Sequence, residues 1–359
     1  MPHRSGRILL LNHEFPPNGG GAGKASMEFL HRIPDSVIMT MKDSNRKKKD
    51  GKIIEVLPIR TDPSHCGFLK TILFALTSFL RIVFMPRIER PKSIVAFFSL
   101  PSGLAALFAK FLFNIPYVVF LRGGDVPGFM PKSLGLCHTL LTPLIHLIWK
   151  KATVVAANGP YLKELAQKSY PGILVIDIPN GIQIPTYQIR PQSPLRVIVA
   201  SRLVFEQKGL EYLPEIWEEI VTRFSHLNPE LEIIGDGPAM DFLQEHLKGE
   251  KVVFHGWLPR EEVIGHLQHC HLFLHLSIYE GVSNSLLEAL ASGNLVLVRK
   301  ERANSWSHKA DGVFTSLEDL NFYEFERLSL SNRKFVSEYD WDLSAKKILS
   351  LSIFNTSLK

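Results

Sequence analysis

Residues 271–293 constrain the fold more than any other stretch. His271-Leu272-Phe273-Leu274-His275-Leu276-Ser277-Ile278 is an apolar run with the length and bounding signals of a buried strand. Leu286 to Ser292 continues as an apolar-faced helix that stops at Gly293. Between them, Tyr279-Glu280-Gly281-Val282-Ser283-Asn284 makes a glycine-containing turn in which Ser283 or Asn284 is suited to cap the helix. The helix's N–H groups and dipole then point beyond the carboxyl end of the strand, where open parallel sheets bind ligands, and an anion such as a diphosphate is the natural guest. Glu280 and Glu288 bracket this turn. A carboxylate repels phosphate, so the paired hydroxyls of a ribose or hexose are the better partners for both glutamates.

With 359 residues, 45% of them hydrophobic, the chain is long enough for two ordinary globular domains. Cys66, Cys137 and Cys270 lie far apart with no C-x-x-C, which suggests neither a disulfide framework nor a zinc site and fits a reducing cytoplasm. The charged N-terminus is followed by too short an apolar run for a signal peptide. The net charge of +6 hides an asymmetry: residues 1–190 carry 24 Lys and Arg against 11 Asp and Glu, whereas the remainder carries 17 against 24. The first half is the one that should seek anionic surfaces. No helix-turn-helix, zinc-finger or RNP-like pattern accompanies that charge, so nucleic acid is not expected as a partner.

Taken in order, Arg7 to Asn12 reads as a strand, and Pro16 to Lys24 as a glycine-rich loop whose backbone amides, at Gly20 and Gly21 among others, can approach a phosphate. Neither a Walker loop nor G-x-G-x-x-G fits it. Strands are expected at 36–41, 52–59, 93–99, 117–121, 153–156 and 173–178, with helices near 68–84, 102–113, 139–151 and 160–168: a doubly wound half. Arg46-Lys47-Lys48-Lys49 reads as a solvated loop. After the fifth strand stands Leu121-Arg122-Gly123-Gly124-Asp125. Arg122 is suited to clamp a phosphate or carboxylate and Asp125 to meet an acceptor hydroxyl, unless the two pair with each other within the loop.

The polar, proline-bearing stretch Pro185–Pro194 reads as a linker. The strand Leu195–Ala200 then leads into Ser201-Arg202-Leu203…Lys208-Gly209, where arginine as a fork and lysine as a point charge can converge on one pyrophosphate. Gly235-Asp236-Gly237-Pro238 and His255-Gly256-Trp257 end the next two strands. Trp257 is placed either to stack on a base or to serve as a core or surface tryptophan.

The E-x7-E spacing of Glu280 and Glu288, the R-L…K-G of Arg202 to Gly209, the G-D-G-P turn and Pro179-Asn180-Gly181 together resemble the retaining GT-B glycosyltransferases of family 4, the glycosyl transferases group 1. The resemblance is specific over residues 195–298 and loose over 1–185. It implies an α/β fold of two Rossmann-like doubly wound domains facing a central cleft: an acceptor-side domain over 1–185, a linker over 186–194, and a nucleotide-sugar domain over 195–342, with helices in 343–359 packing back on the first. It implies catalytic roles for Glu280, Arg202 and Lys208, and donor contacts at Gly20, Gly21, Gly237, Gly256, Gly281, Val282, Ser283, Asn284 and Glu288. Arg122, Gly123 and Asp125 fall on the acceptor and sugar side. Two departures stand out. Arg122 replaces the family's usual histidine, and Arg299 to Trp306 lacks the usual glycine pair and glutamate.

The expected activity is transfer of a sugar from a nucleotide-diphosphate sugar to a glycan or lipid-linked acceptor, in cell-envelope polysaccharide or lipopolysaccharide biosynthesis. No D-x-D pair stands at a strand end, so neither a metal nor a further cofactor is expected, and Arg202, Lys208 and helix dipoles must neutralise the leaving group. The alternatives are a nucleotide-sugar epimerase on the same fold, which would convert the donor without an acceptor, and a binding member that has lost catalysis. Residues 66–86 and 103–113 are apolar with sparse cations and too short to span a bilayer unaided. They read either as buried crossover helices or as a peripheral contact with anionic lipid on the inner face of the cell membrane.

Overall fold

The computed structural model describes residues 7–17, 20–43, 46, 51–60, 68–188, 193–249, 251–300 and 304–351. Residues 47–49 of the basic run, 189–192 of the expected linker and 301–303 of the atypical loop lie outside them. The chain divides into two compact units, Met1–Asn180 with Trp341–Lys359, and Gly181–Asp340.

In the first unit, short apolar runs form seven strands: β1 (Ile8–Leu11), β2 (Ser36–Asp43), β3 (Ile53–Arg60), β4 (Ser93–Phe97), β5 (Tyr117–Leu121), β6 (Val154–Ala157) and β7 (Val175–Asp177). They make one parallel sheet in the order β3-β2-β1-β4-β5-β6-β7, so the direction of winding reverses between β1 and β4. Strands covered on both faces need apolar residues at successive positions, and β1, β4 and β5 are buried at every residue. The helices are α1 (Gly21–Arg32), α2 (Phe68–Val83), α3 (Leu104–Phe113), α4 (Pro131–Lys151) and α5 (Pro160–Ser169).

Helix α4 starts eight residues before the expected 139. Pro131 supplies the fixed φ of a first helical position after a left-handed Met130, and the helix continues through Pro143. The centre of this unit is aromatic: Phe29 of α1 lies 6.1 and 5.9 Å from the rings of Phe97 and Phe120.

The second unit repeats the plan. Strands β8 (Arg196–Ala200), β9 (Glu230–Ile234), β10 (Val252–Gly256), β11 (Leu272–His275), β12 (Leu295–Val298) and the two-residue β13 (Val313–Phe314) form a second parallel sheet in the order β10-β9-β8-β11-β12-β13. Here the winding reverses between β8 and β11. The helices are α6 (Phe205–Lys208), α7 (Leu213–Arg223), α8 (Met240–His246), α9 (Arg260–His269), α10 (Asn284–Ser292) and α11 (Phe325–Val336). Alternation along each strand feeds two cores. Leu231, Ile233, Leu272 and Leu274 pack on one face, and Ile198, Phe273, Leu286 and Leu290 on the other.

After α11 the chain enters α12 (Trp341–Leu349), whose Trp341, Ala345 and Ile348 complete the core of the first unit. Trp341 meets Phe29 edge-on at 5.6 Å. Truncating a buried tryptophan costs about 3–5 kcal/mol. Trp341→Ala is therefore expected to lower the urea midpoint of the transition that reports the first sheet, followed by circular dichroism, and an unchanged midpoint would remove this helix from the core.

Candidate functional site

Loops leaving adjacent strands at the winding reversal of a parallel sheet frame a crevice. In the second unit these are residues 201–209 after β8 and 276–283 after β11. Backbone hydrogen bonds tie them together: the Ile278 N–H donates to the Gln207 carbonyl at 2.9 Å. Gly209, at φ 59°, makes this approach possible, since a Cβ there would lie 2.5 Å from the Leu276 carbonyl oxygen. Lys208, at the end of α6, consequently forms an ion pair with Glu280, both side chains being mostly buried. Arg202 donates to the side chain of Gln207, the residue before Lys208, at 3.3 Å. Its loop is clamped from the other side, where the Leu203 N–H donates to the Asp236 carbonyl at 2.9 Å. Gly235 is obligatory in that clamp, because at φ 136° its Cβ would fall 1.8 Å from the Ser201 carbonyl oxygen.

The sequence-derived residues Arg202, Lys208, Glu280, Gly237 and Gly281 thus converge on the strand ends of one sheet, with Gly256 at the end of β10. Ser283 stands at the N-cap of α10 and Asn284 is its first residue, but no side chain caps the helix; the Ser283 hydroxyl lies 3.2 Å from that of Ser285. The side chain of Val282 belongs to the core, so only its backbone faces the turn. Glu288 is buried on α10 and accepts from Arg260 Nε at 2.7 Å. Arg260, at the first position of α9, was not anticipated, since nothing in the sequence links it to a helix 28 residues away. Trp257, in the preceding loop, is 67% exposed and so is not a core residue.

His275, the last residue of β11, is buried beneath this cluster. Burial, reinforced by the charge of Lys208, pushes its pKa down to about 3, and its Nε2 makes no hydrogen bond among the described residues. The imidazole is therefore neutral near pH 7, and Lys208 and Arg202 carry the positive charge of the site.

The remaining sequence-derived residues belong to the first unit. Gly20 precedes α1, and its N–H donates to the Glu14 carboxylate at 3.3 Å, so an acidic group already stands where a phosphate was expected. Asp125 differs from its expected role as an acceptor-facing carboxylate. One oxygen accepts from the Arg122 and Gly123 N–H groups at 2.9 and 3.0 Å, the other from the Ser99 N–H and hydroxyl at 2.7 and 3.0 Å, and the residue is buried. The carboxylate thereby holds the β5 loop to the residues after β4. The Arg122 guanidinium does not pair with it. Instead it donates to the Asn180 side chain at 3.0 Å and to the Gly21 carbonyl at 3.3 Å, linking the glycine loop to the proline-asparagine-glycine turn. In the atypical loop, the Asn304 side chain donates to the carbonyls of Ser277 and Arg299 at 3.0 Å each, and Trp306 packs on Phe335 and Tyr339.

Two parallel, doubly wound sheets with these strand-end loops define the GT-B architecture. Sucrose-phosphate synthase from Thermosynechococcus elongatus superposes with a TM-score of 0.79 at 16% identity, covering 99% of this chain and all of that one. An Anabaena protein solved with UDP and glucose superposes with a TM-score of 0.68 at 15% identity, covering 96% and 98%. Residues 194–320, which contain Arg202, Lys208, Glu280 and Glu288, match the family model of the glycosyl transferases group 1.

Among curated relatives, a putative teichuronic acid biosynthesis glycosyltransferase of Bacillus subtilis is 32% identical over 214 residues, 56% of this chain and 51% of that protein. One component of the human phosphatidylinositol N-acetylglucosaminyltransferase is 25% identical over 311 residues, 81% of this chain and 61% of that protein. The chain thus spans between half and two thirds of the length of these relatives.

The inward-turned Asp125 gives a direct test. Asp125→Asn removes the charge and replaces one acceptor oxygen by an NH2 group that must face at least one backbone N–H donor. It is expected to cost about 1.5–3 kcal/mol of stability, the scale of hydrogen bonds to a charged group, in chemical denaturation. A variant as stable as the parent would return Asp125 to the acceptor side.

Proposed function

We propose that the protein is a retaining glycosyltransferase that moves a sugar from a nucleotide-diphosphate sugar to a glycan or lipid-linked acceptor of the cell envelope. The observation that carries this reading is the Lys208–Glu280 pair, with Arg202 on the loop of Lys208, at the winding reversal of the sheet matched by the group 1 family. The two cations and the N-terminus of α10 offer positive potential to a leaving diphosphate as its bond to the sugar breaks. Glu280 is the hydrogen-bond acceptor for sugar hydroxyls once Lys208 turns to the phosphates. Glu288, held by Arg260, is the partner for a ribose. The mechanism is positioning and charge stabilisation by these side chains, with no metal ion and no protein nucleophile assigned a step.

Arg202→Ala and Lys208→Ala are each expected to weaken binding of nucleoside diphosphates, titrated calorimetrically over a panel of bases, by about 1.5–3 kcal/mol. Unchanged affinity in both would sink the assignment. Turnover of a panel of nucleotide sugars, scored by released nucleoside diphosphate with and without acceptor, separates a transferase from an epimerase.

The acceptor side is read from the first unit. Leu69, Ile72, Leu76 and Leu80 on α2, Phe108, Phe111 and Leu112 on α3, and Leu136 and Leu140 on α4 are all exposed. Helices α2 and α3 pack through Phe79 and Phe108, whose rings are 5.3 Å apart, so their apolar residues adjoin. No helix among the described residues is long and apolar enough to cross a membrane. An apolar face bordered by exposed Arg81 and Arg87, on the half of the chain with excess positive charge, suits the surface of an anionic bilayer. Arg90 contributes less, because it stacks on Phe113 at 4.0 Å and donates to the Val83 carbonyl.

The protein is expected to sediment with phosphatidylglycerol vesicles at low salt and to release at high salt. Each cation near such a surface contributes about 1 kcal/mol, so neutralising Arg81 and Arg87 together should weaken partitioning roughly thirtyfold. Indifference to anionic vesicles at low salt would point to a soluble glycan acceptor instead.

A further inference from the structure

The second unit holds a second cluster of chemistry-bearing side chains, on the face of the sheet covered by α9. Period-two alternation places Glu230 and Glu232 of β9 on that face together with Val253 and His255 of the edge strand β10, while Leu231, Ile233 and Phe254 turn to the opposite core. Where a doubly wound sheet would ordinarily meet an apolar helix, α9 presents Glu262 and His266 one turn apart, with Gly265 between them facing open space. An open pocket of about 650 Å³ lies among these residues, with Arg196 and Lys251 at the strand starts.

At this pocket three side chains from three separate elements point at one another. Glu232 Oε2 lies 2.8 Å from His255 Nε2 and 2.6 Å from His266 Nδ1, and the three atoms all fall within 4.8 Å. The side chains are 18%, 23% and 30% exposed, so they are sheltered yet reachable from solvent.

We propose that Glu232, His255 and His266 form a binding site for a divalent transition metal ion of the zinc class, separate from Lys208 and Glu280. Two imidazoles and a carboxylate are the donor set such ions favour. Zinc held at roughly 2.0–2.2 Å from each atom would space them about 3.3–3.5 Å apart, so Glu232 Oε2 need only draw back from each imidazole nitrogen by under about an ångström, and the pocket gives it room. On binding, each neutral imidazole would offer the lone pair of the nitrogen that faces Glu232 and carry its proton on the other ring nitrogen, leaving a position open to water from the pocket side. The ion would clip the edge strand β10 and helix α9 to β9, next to Gly256, whose carbonyl accepts from the Gly235 N–H at 2.7 Å. The sequence hid this site, because the ligands are 23 and 11 residues apart with no motif spacing.

The test uses the full chain without a histidine tag, stripped with chelator. It is titrated with Co2+ while the visible d–d bands are followed, and then with Zn2+ in competition. One ion per chain is expected, with a rise in melting temperature on Zn2+ addition. His255→Ala, His266→Ala and Glu232→Gln should each weaken Zn2+ binding by at least the roughly 10–100-fold that loss of an outer-shell partner costs, and should abolish the melting shift. His246→Ala, on exposed α8, serves as control and should change neither. His266→Ala lies on a surface helix, so its folding, checked by circular dichroism, keeps the test interpretable if a strand variant misfolds. No saturable uptake at micromolar Zn2+, or uptake equal in the parent and in His266→Ala, overturns the proposal, and neither result bears on nucleotide binding.

Discussion

The ion pair between Lys208 and Glu280 is the contact on which the arrangement of the second unit's strand ends depends. Two opposite charges largely removed from water are tolerated only when each finds the other, and they do so because the loops after β8 and β11 are joined backbone to backbone. Close approach at Gly209 brings these loops within reach, and neutral His275 underneath adds no competing charge. The pair also neutralises Lys208 when no ligand is present. Any anion that recruits this lysine must break an existing interaction, so the observed binding free energy is the difference between the two.

The first unit solves a related problem with a different residue. A buried carboxylate needs donors for both oxygens, and Asp125 has four, from Ser99, Arg122 and Gly123. The network continues as Trp149 Nε1 donates to the Ser99 hydroxyl at 2.8 Å. Arg122, released from Asp125, is left to join Gly21 and Asn180. The charged pair one would draw from the sequence is thereby split into a structural anion and a bridging cation.

The parallel sheets were readable in the sequence because strands covered on both faces leave continuous apolar runs, as in 8–11, 117–121 and 272–275. The turn at 279–284 and the cations at 202 and 208 were readable because their positions follow directly from strand ends. What escaped were features settled by packing between distant segments. Arg260 reaches Glu288 across two helices, Glu14 occupies the amide of Gly20, and β13, only two residues long, has no periodicity to detect. Exposure was equally hidden. Residues 69–80 have the composition of a core helix, and only the fold reveals that five of its large apolar side chains face outward.

Because Trp341, Ala345 and Ile348 sit in the core of the first unit, the order of synthesis and the order of folding must differ. Residues 181–340 are one unbroken run and can collapse as soon as they are made. The unit begun first must wait, with Phe29 lacking its aromatic neighbour, until the ribosome has produced the whole of the other one. During translation the core around Phe29 is therefore the part of the chain completed last.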